Sequence, residues 1–235
     1  MKWVLFAVIL FCVLFLISRS VKSGFVEPKL YIIISTCKNY REKTIPPLLK
    51  NLEDAGVPSD RIVVISGGED TEDDRNVKYQ FWELTGLIWL ASQPDKGDYY
   101  FMMHDTCSVE PHFWESLNKK FTEMGDGSEA MRLMENNGKS SMNMGIYKHS
   151  YLISRKEELD SLKSYPQDEK DLLNLKAFGL TVEGKFLTGF PLMYGGDETK
   201  IIYGDDQKCI NKIPSLGFTK VQTNCGRGPL KMALS

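Results

Sequence analysis

The chain has only three histidines, His104, His112 and His149, and its five cysteines form no Cys-x-x-Cys pair and no Cys/His cluster at zinc-ligand spacing. These shortages speak against a structural zinc site and against a small scaffold packed by disulfides. Positive charge is not in excess either. Formal net charge is −2, and beyond the first 23 residues, which hold Lys2, Arg19 and Lys22 but no acid, 26 basic residues face 31 acidic ones. That balance argues against a nucleic-acid partner. There is no internal repeat and no low-complexity tract. Only one apolar run matters to a membrane: Trp3 to Ile17, which as a helix spans roughly 22 Å, short of a ~30 Å hydrocarbon core but workable in a thin bilayer. It lacks an Ala-x-Ala cleavage site, and Arg19 lies between Ser18 and Ser20. Residues 1–22 therefore read as an uncleaved signal anchor, with a cleaved signal peptide and secretion as the alternative. Either way the body is expected in a lumen of ER or Golgi type, a single-pass membrane protein in the first case. Cys12 lies in the apolar run, which leaves Cys37, Cys107, Cys209 and Cys225 as an even set.

What is present is the composition of a globular protein, 42% apolar and 26% charged over 235 residues. After a short stem, residues 23–29, LYIIIS (Leu30 to Ser35) is a continuous β-branched run, the mark of a strand buried on both faces. Ile45, Leu48, Leu49 and Leu52 then recur at helical spacing, with Pro46 and Pro47 expected in the first turn and Gly56 and Pro58 as the stop. RIVVIS (Arg61 to Ser66) is a second strand, ending in Gly67, Gly68 and an acidic loop from Glu69 to Asp74. Tyr79 to Leu90 reads as a mostly buried helix, and DYYFMM (Asp98 to Met103) as a third buried strand. This alternation predicts an α/β domain with a largely parallel sheet and a ligand site beyond the carboxyl ends of its strands. The segments aimed at that crevice are Ser35 to Cys37, Gly67 to Asp70 and His104 to Cys107.

Further along, helices are expected through Phe113, Trp114, Leu117 and Phe121, and again from Ser128 to Asn137. MNMGIYKHSYLIS reads as a short strand entering a helix that ends near Leu162, and Leu172, Leu173, Leu175 and Phe178 as an amphipathic stripe behind Asp168 and Glu169. Short Gly-punctuated strands and a polar tail follow from Thr181. YGDD at Tyr203 to Asp206 and GGDE at Gly195 to Glu198 are four-residue matches to polymerase and cyclase signatures without their context.

Taken in order, YIIISTCKNYR, RIVVISGGED, DYYFMMHDTCSVEPHFWESL and the later pair MNMGIYKHSYLIS and DEKDLLNLKAFG resemble a GT-A fold glycosyltransferase of the family 2-like kind, over roughly Leu30 to Phe178. The resemblance implies a GT-A-like three-layer α/β sandwich: one domain over 30–235, with a nucleotide-binding half at about 30–107 and an acceptor half at about 108–235. It implies a nucleotide-sugar donor, a glycan or glycoconjugate acceptor, inversion at the anomeric carbon and a divalent cation, Mn²⁺ or Mg²⁺. On this reading Thr36, Cys37, Arg41, Gly67, Gly68, Glu69 and His104 surround the donor, Asp105 binds the metal, and Asp168 or Glu169 is the catalytic base. The chain departs from the family at the metal motif. HDTC (His104 to Cys107) offers one carboxylate where the family has two acids. Positive charge from Arg41, Lys38, Lys220 or Arg227 is the metal-free alternative.

Each of these residues also has a plain structural reading. Acids in a first helical turn stabilise the macrodipole, and a strand-end aspartate caps the next turn. Two glycines after a strand make a turn, and Glu69 and Asp70 fit a solvated loop. Cys37 and Cys107 are either a disulfide across neighbouring strands or two buried thiols. The incomplete metal motif keeps a catalytically silent, glycan- or protein-binding module open as the competing function.

Overall fold

The computed structural model describes residues 28–81, 84–125, 127–136, 139–140, 144–164, 189–203 and 209–222. The expected anchor at 1–22, Asp168, Glu169 and the stripe behind them lie outside these residues. Among the described residues no helix is long and apolar enough to cross a membrane.

Strands β1 (Leu30–Cys37), β2 (Ile62–Gly67) and β3 (Tyr99–His104) are the three apolar runs expected from the sequence. They pair in parallel with β1 in the middle. Because β1 is covered on both sides, Ile32, Ile33 and Ile34 are all fully buried, which is why its sequence does not alternate. Helix α1 (Arg41–Asp54) covers the face of Thr36, and α2 (Leu84–Ala91) covers the face of Ser35, whose Oγ accepts a hydrogen bond from Gly86 N at 3.0 Å. Two boundaries differ from expectation. α1 starts four residues earlier than its apolar spacing, at Arg41, so Pro46 and Pro47 lie in its second turn instead of its first. α2 is described from Leu84, and the expected first residues Tyr79 to Phe81 are not helical: Phe81 N is held by Thr85 Oγ1 at 2.9 Å, and Tyr79 and Gln80 pack against the glycines after β2.

Beyond β3 the chain runs through a short β4 (Cys107–Val109) and α3 (Phe113–Met124) to β5 (Ala130–Asn136). A helix was expected at β5, since Ala, Met, Arg, Leu and Glu are strong helix formers. Tertiary pairing overrides that preference: β5 lies between β7 (Gly145–Lys148), antiparallel, and β8 (Leu192–Tyr194), parallel, with Ala130, Met131, Leu133 and Met134 buried. The turn expected at Lys139 is instead a two-residue strand, β6 (Lys139–Ser140), paired with β5. The main sheet thus has the order β2-β1-β3-β7-β5-β6, with β8 on β5. β7 passes directly into α4 (His149–Ser154) and α5 (Lys156–Ser161), as the strand-into-helix reading of MNMGIYKHSYLIS expects. β9 (Lys200–Tyr203), β10 (Cys209–Ile213) and β11 (Phe218–Gln222) make a second, antiparallel sheet with β4 in the order β4-β11-β10-β9. Phe218 joins it to the main core against Phe101 and Phe113, at centroid distances of 6.2 Å each.

Candidate functional site

The parallel arrangement brings the carboxyl ends of β1, β2 and β3 to one edge of the sheet, in the register Thr36↔Ser66, Cys37↔Gly67 and Ser35↔His104. Thr36, Val64 and Ser66 share the face toward α1, and with Arg41, Glu42, Ile45, Pro46 and Asn76 they line a cleft of about 360 Å³. That volume falls at the small end of ligand pockets, and its walls mix aliphatic surface with a few converging polar groups.

Asp105 stands in the turn between β3 and β4, half-buried. Its Oδ2 accepts hydrogen bonds from Thr36 Oγ1 at 2.7 Å and Thr44 Oγ1 at 2.9 Å. Thr44 lies in the first turn of α1 and its hydroxyl is shared with the Tyr40 carbonyl at 3.0 Å, so Thr36 is the more committed donor. Thr36 therefore belongs both to the cleft wall and to the Asp105 cradle. On the other side, Arg41 Nη1 donates to Glu69 Oε1 at 2.8 Å and to Asn76 Oδ1 at 3.2 Å, and Ser66 Oγ donates to the same Glu69 oxygen at 2.5 Å. This network ties the start of α1 to the loop after β2. Glu69 is consequently not a solvated loop acid; its side chain is only 9% exposed. Asp70 is exposed, as the solvated-loop reading expects, but pairs with Lys38 across the same two loops.

The acidic loop is organised from within. Asp73 Oδ1 accepts from the backbone N–H groups of Arg75 and Asn76 at 2.8 and 2.9 Å, and Asn76 forms a parallel bridge with Ser66. Gly67 and Gly68 let this returning segment pass close. A Cβ on Gly67 would meet the Tyr79 carbonyl at 2.9 Å, and Gly68 sits at φ +70° with Gln80 Oε1 2.7 Å from its would-be Cβ.

Cys37 and His104 are both buried, and strand alternation sets them on the α2 face, with Ser35 and with Tyr100 and Met102, away from the cleft wall. Cys37 and Cys107 are free thiols. Burial pushes both thiols up, Cys107 to about 12. His149, the first residue of α4, lies at the other end of the sheet. Its N–H bonds Asp98 O at 2.9 Å, its Nε2 donates to Leu90 O at 2.8 Å, and it is 1% exposed.

Among the described residues no group of three His, Cys, Asp or Glu side chains is placed to hold a metal ion, and the expected acids Asp168 and Glu169 lie outside them. Asp105 is a single carboxylate whose Oδ2 already accepts two hydroxyls, and His104 alternates to the far face. Of the site residues expected from sequence, Thr36, Arg41, Glu69 and Asp105 converge, with Gly67 and Gly68 supporting them, whereas Cys37 and His104 back the sheet. Thr44, Ser66 and Asn76 were not singled out as site residues. The signal for Thr44 is its position in R-E-K-T immediately after the strand loop, hidden by placing the helix start at Ile45.

No protein-family profile matches the chain, and no curated protein matches it. Among solved structures, S. aureus TarS 1–349 matches with 13% identity and a TM-score of 0.38, and the same fragment in complex with UDP with 13% and 0.37. Each alignment covers 66% of this chain and 65% of that one, so the likeness spans slightly less than two-thirds of the TarS chain. At this distance the likeness carries no functional argument. The architecture is mixed α/β, and the largely parallel sheet expected from sequence holds for β2-β1-β3 and for β5 with β8, whereas β7 pairs antiparallel with β3 and β5, and β6 antiparallel with β5.

Proposed function

We propose that the chain is a glycosyltransferase that moves a sugar from a nucleotide-sugar donor to a hydroxyl of a carbohydrate or glycoconjugate, with inversion. One observation carries the reading. The cleft formed by Thr36, Arg41 and Ser66 opens at the carboxyl ends of parallel strands and shares Thr36 with the Asp105 cradle. In this reading the cleft takes the nucleoside, with Ile45, Pro46 and Val64 as its apolar wall, and Asp105 orients the sugar-diphosphate end. The bond between the anomeric carbon and the diphosphate oxygen breaks, its electron pair leaving with the diphosphate. The acceptor oxygen bonds to that carbon, and its proton passes to Asp168 or Glu169. Residues 1–22 would hold the protein at a membrane with this body in a secretory lumen.

The test is a hydrolysis and binding screen of the full chain, in detergent, against a panel of nucleotide sugars. Turnover of one donor that falls at least a hundredfold in Asp105→Asn, with the fold intact by circular dichroism, supports the reading. Nucleotide binding without turnover would point to the silent module, which the engagement of Asp105 Oδ2 by two hydroxyls also favours. No binding of any nucleotide would remove the donor altogether.

A further inference from the structure

A serine or threonine hydroxyl has one hydrogen to give and lone pairs to receive with, whereas an ionised carboxylate can only receive. Thr36 and Ser66, register partners on the neighbouring strands β1 and β2, both line the cleft. Each has spent its hydrogen on a carboxylate, Thr36 Oγ1 on Asp105 Oδ2 at 2.7 Å and Ser66 Oγ on Glu69 Oε1 at 2.5 Å. Each of those carboxylate oxygens takes a second donor, Thr44 Oγ1 at 2.9 Å and Arg41 Nη1 at 2.8 Å, as accepting oxygens do. Among the described residues nothing donates to either hydroxyl, so what both offer the cleft is an acceptor. Asn76, on the same wall, is engaged at both ends: its Oδ1 accepts from Arg41 at 3.2 Å and its Nδ2 donates to Asp73 at 2.6 Å. Among the described side chains that line the cleft, Arg41 is the donor that remains, and Glu42 adds a further acceptor.

Adjacent strands stand about 4.8 Å apart, and hydroxyls on same-face register partners keep roughly that spacing. A planar amino group, with each nitrogen-to-oxygen distance about 2.9 Å, aims its two N–H bonds at acceptors about 5 Å apart. We propose that the Thr36 and Ser66 hydroxyls together receive the exocyclic amino group of cytosine, which makes the sugar donor a cytidine nucleotide. This rests on the nucleotide-donor reading above and names the base. A cleft of about 360 Å³, at the small end of ligand pockets, suits a one-ring base better than a two-ring one. A charged ammonium is disfavoured there, because the Arg41 guanidinium shares the cleft. Beside its amino group cytosine carries an accepting ring nitrogen, for which Arg41 is the available donor. Uracil inverts this edge: a carbonyl oxygen would face two acceptors, and a ring N–H would face the guanidinium.

The experiment is calorimetric titration of the full chain, in detergent, with CDP, UDP, ADP and GDP. CDP should bind about tenfold tighter than UDP or better, since the wrong base leaves polar groups of the site unpaired. Ser66→Ala should bring the two affinities together by loss of CDP binding, and Thr36→Ser, which keeps the hydroxyl, should retain the preference. Equal affinities for CDP and UDP would assign the hydroxyl pair to a group both nucleotides carry, such as the ribose, and overturn the proposal while the donor reading stands. Tighter binding of UDP, or binding of ADP or GDP alone, has the same consequence, and none of these comparisons needs a variant to fold. A CDP preference that persists in folded Ser66→Ala overturns the proposal too. If no nucleotide binds the unmodified chain, the donor reading fails first, and the proposal fails with it.

Discussion

Asp105 is held by hydroxyls from two different elements, and the two donors are unequal. The Thr36 hydroxyl donates to Asp105 at 2.7 Å, whereas Thr44 divides its hydrogen between Asp105 and Tyr40 O. Thr36→Val should therefore cost about 1.5 to 3 kcal/mol, the range for losing one hydrogen bond to a charged group, and Thr44→Val less; urea midpoints of the two variants give the order. The acid limb of stability has named sources. The Lys38 ammonium, by hydrogen bond and then by charge, holds Asp70 below its ordinary carboxyl value of 3.8, and the Arg75 and Asn76 groups hold Asp73 below it as well. Depressed carboxyls add stability above 3.8 that is lost as pH falls through their folded values, so Lys38→Gln combined with Asp73→Asn should flatten denaturation curves below pH 3.8. Cys107 has the opposite sign. Burial raises it from 9.0 to about 12, so the folded state keeps a proton that the unfolded state gives up, and stability falls as pH rises above 9.0. Cys107→Ala should lessen that alkaline loss in thermal scans. At this scale the sequence was legible where chemistry and position coincide, as at Asp105 and Arg41. It was opaque where a role depends on partners far along the chain, as for Thr44, whose hydroxyl reaches Asp105, and Asn76, whose Oδ1 accepts from Arg41.

Elements were readable in proportion to how far burial dictates their composition. β1, β2 and β3 announce themselves because strands covered on both faces tolerate only apolar residues. β5 did not, because its seven residues, AMRLMEN, satisfy helix propensity while β7 and β8 impose the extended state. Gly145 on β7 records how tightly that pairing closes: a Cβ there would stand 2.2 Å from the Met131 carbonyl, an immovable backbone atom. Gly145→Ala should destabilise the protein by roughly 2 kcal/mol or more, read as a lowered denaturant midpoint, whereas Gly127→Ala, with open space around it, should change little. The start of α1 was misjudged for a related reason. Its first turn, Arg41 to Thr44, is polar because it faces the site, so hydrophobic spacing could not see it.

At the scale of the molecule, the second sheet was the least visible part, foreseen only as short strands, because its partner β4 lies a hundred residues upstream of β11. Its attachment rests on Phe218, stacked on Phe113 and edge-to-face with Phe101, with 2% of its surface exposed. Phe218→Ala should cost about 3 to 5 kcal/mol, read as a lowered denaturant midpoint, and since β11 is also bonded to the Asp105 turn, the nucleotide binding proposed above should weaken with it. A comparable loss at Trp114, which is only partly buried, is not expected. The two thiols lead to a different kind of statement. Cys37 hangs beneath the α2 side of the main sheet and Cys107 belongs to the other sheet, and neither is bonded to anything covalently. Among the described residues the walls of the crevice are thus assembled by packing, hydrogen bonds and ion pairs without a disulfide, and this part of the architecture should be equally sound whether glutathione around it is reduced or oxidised.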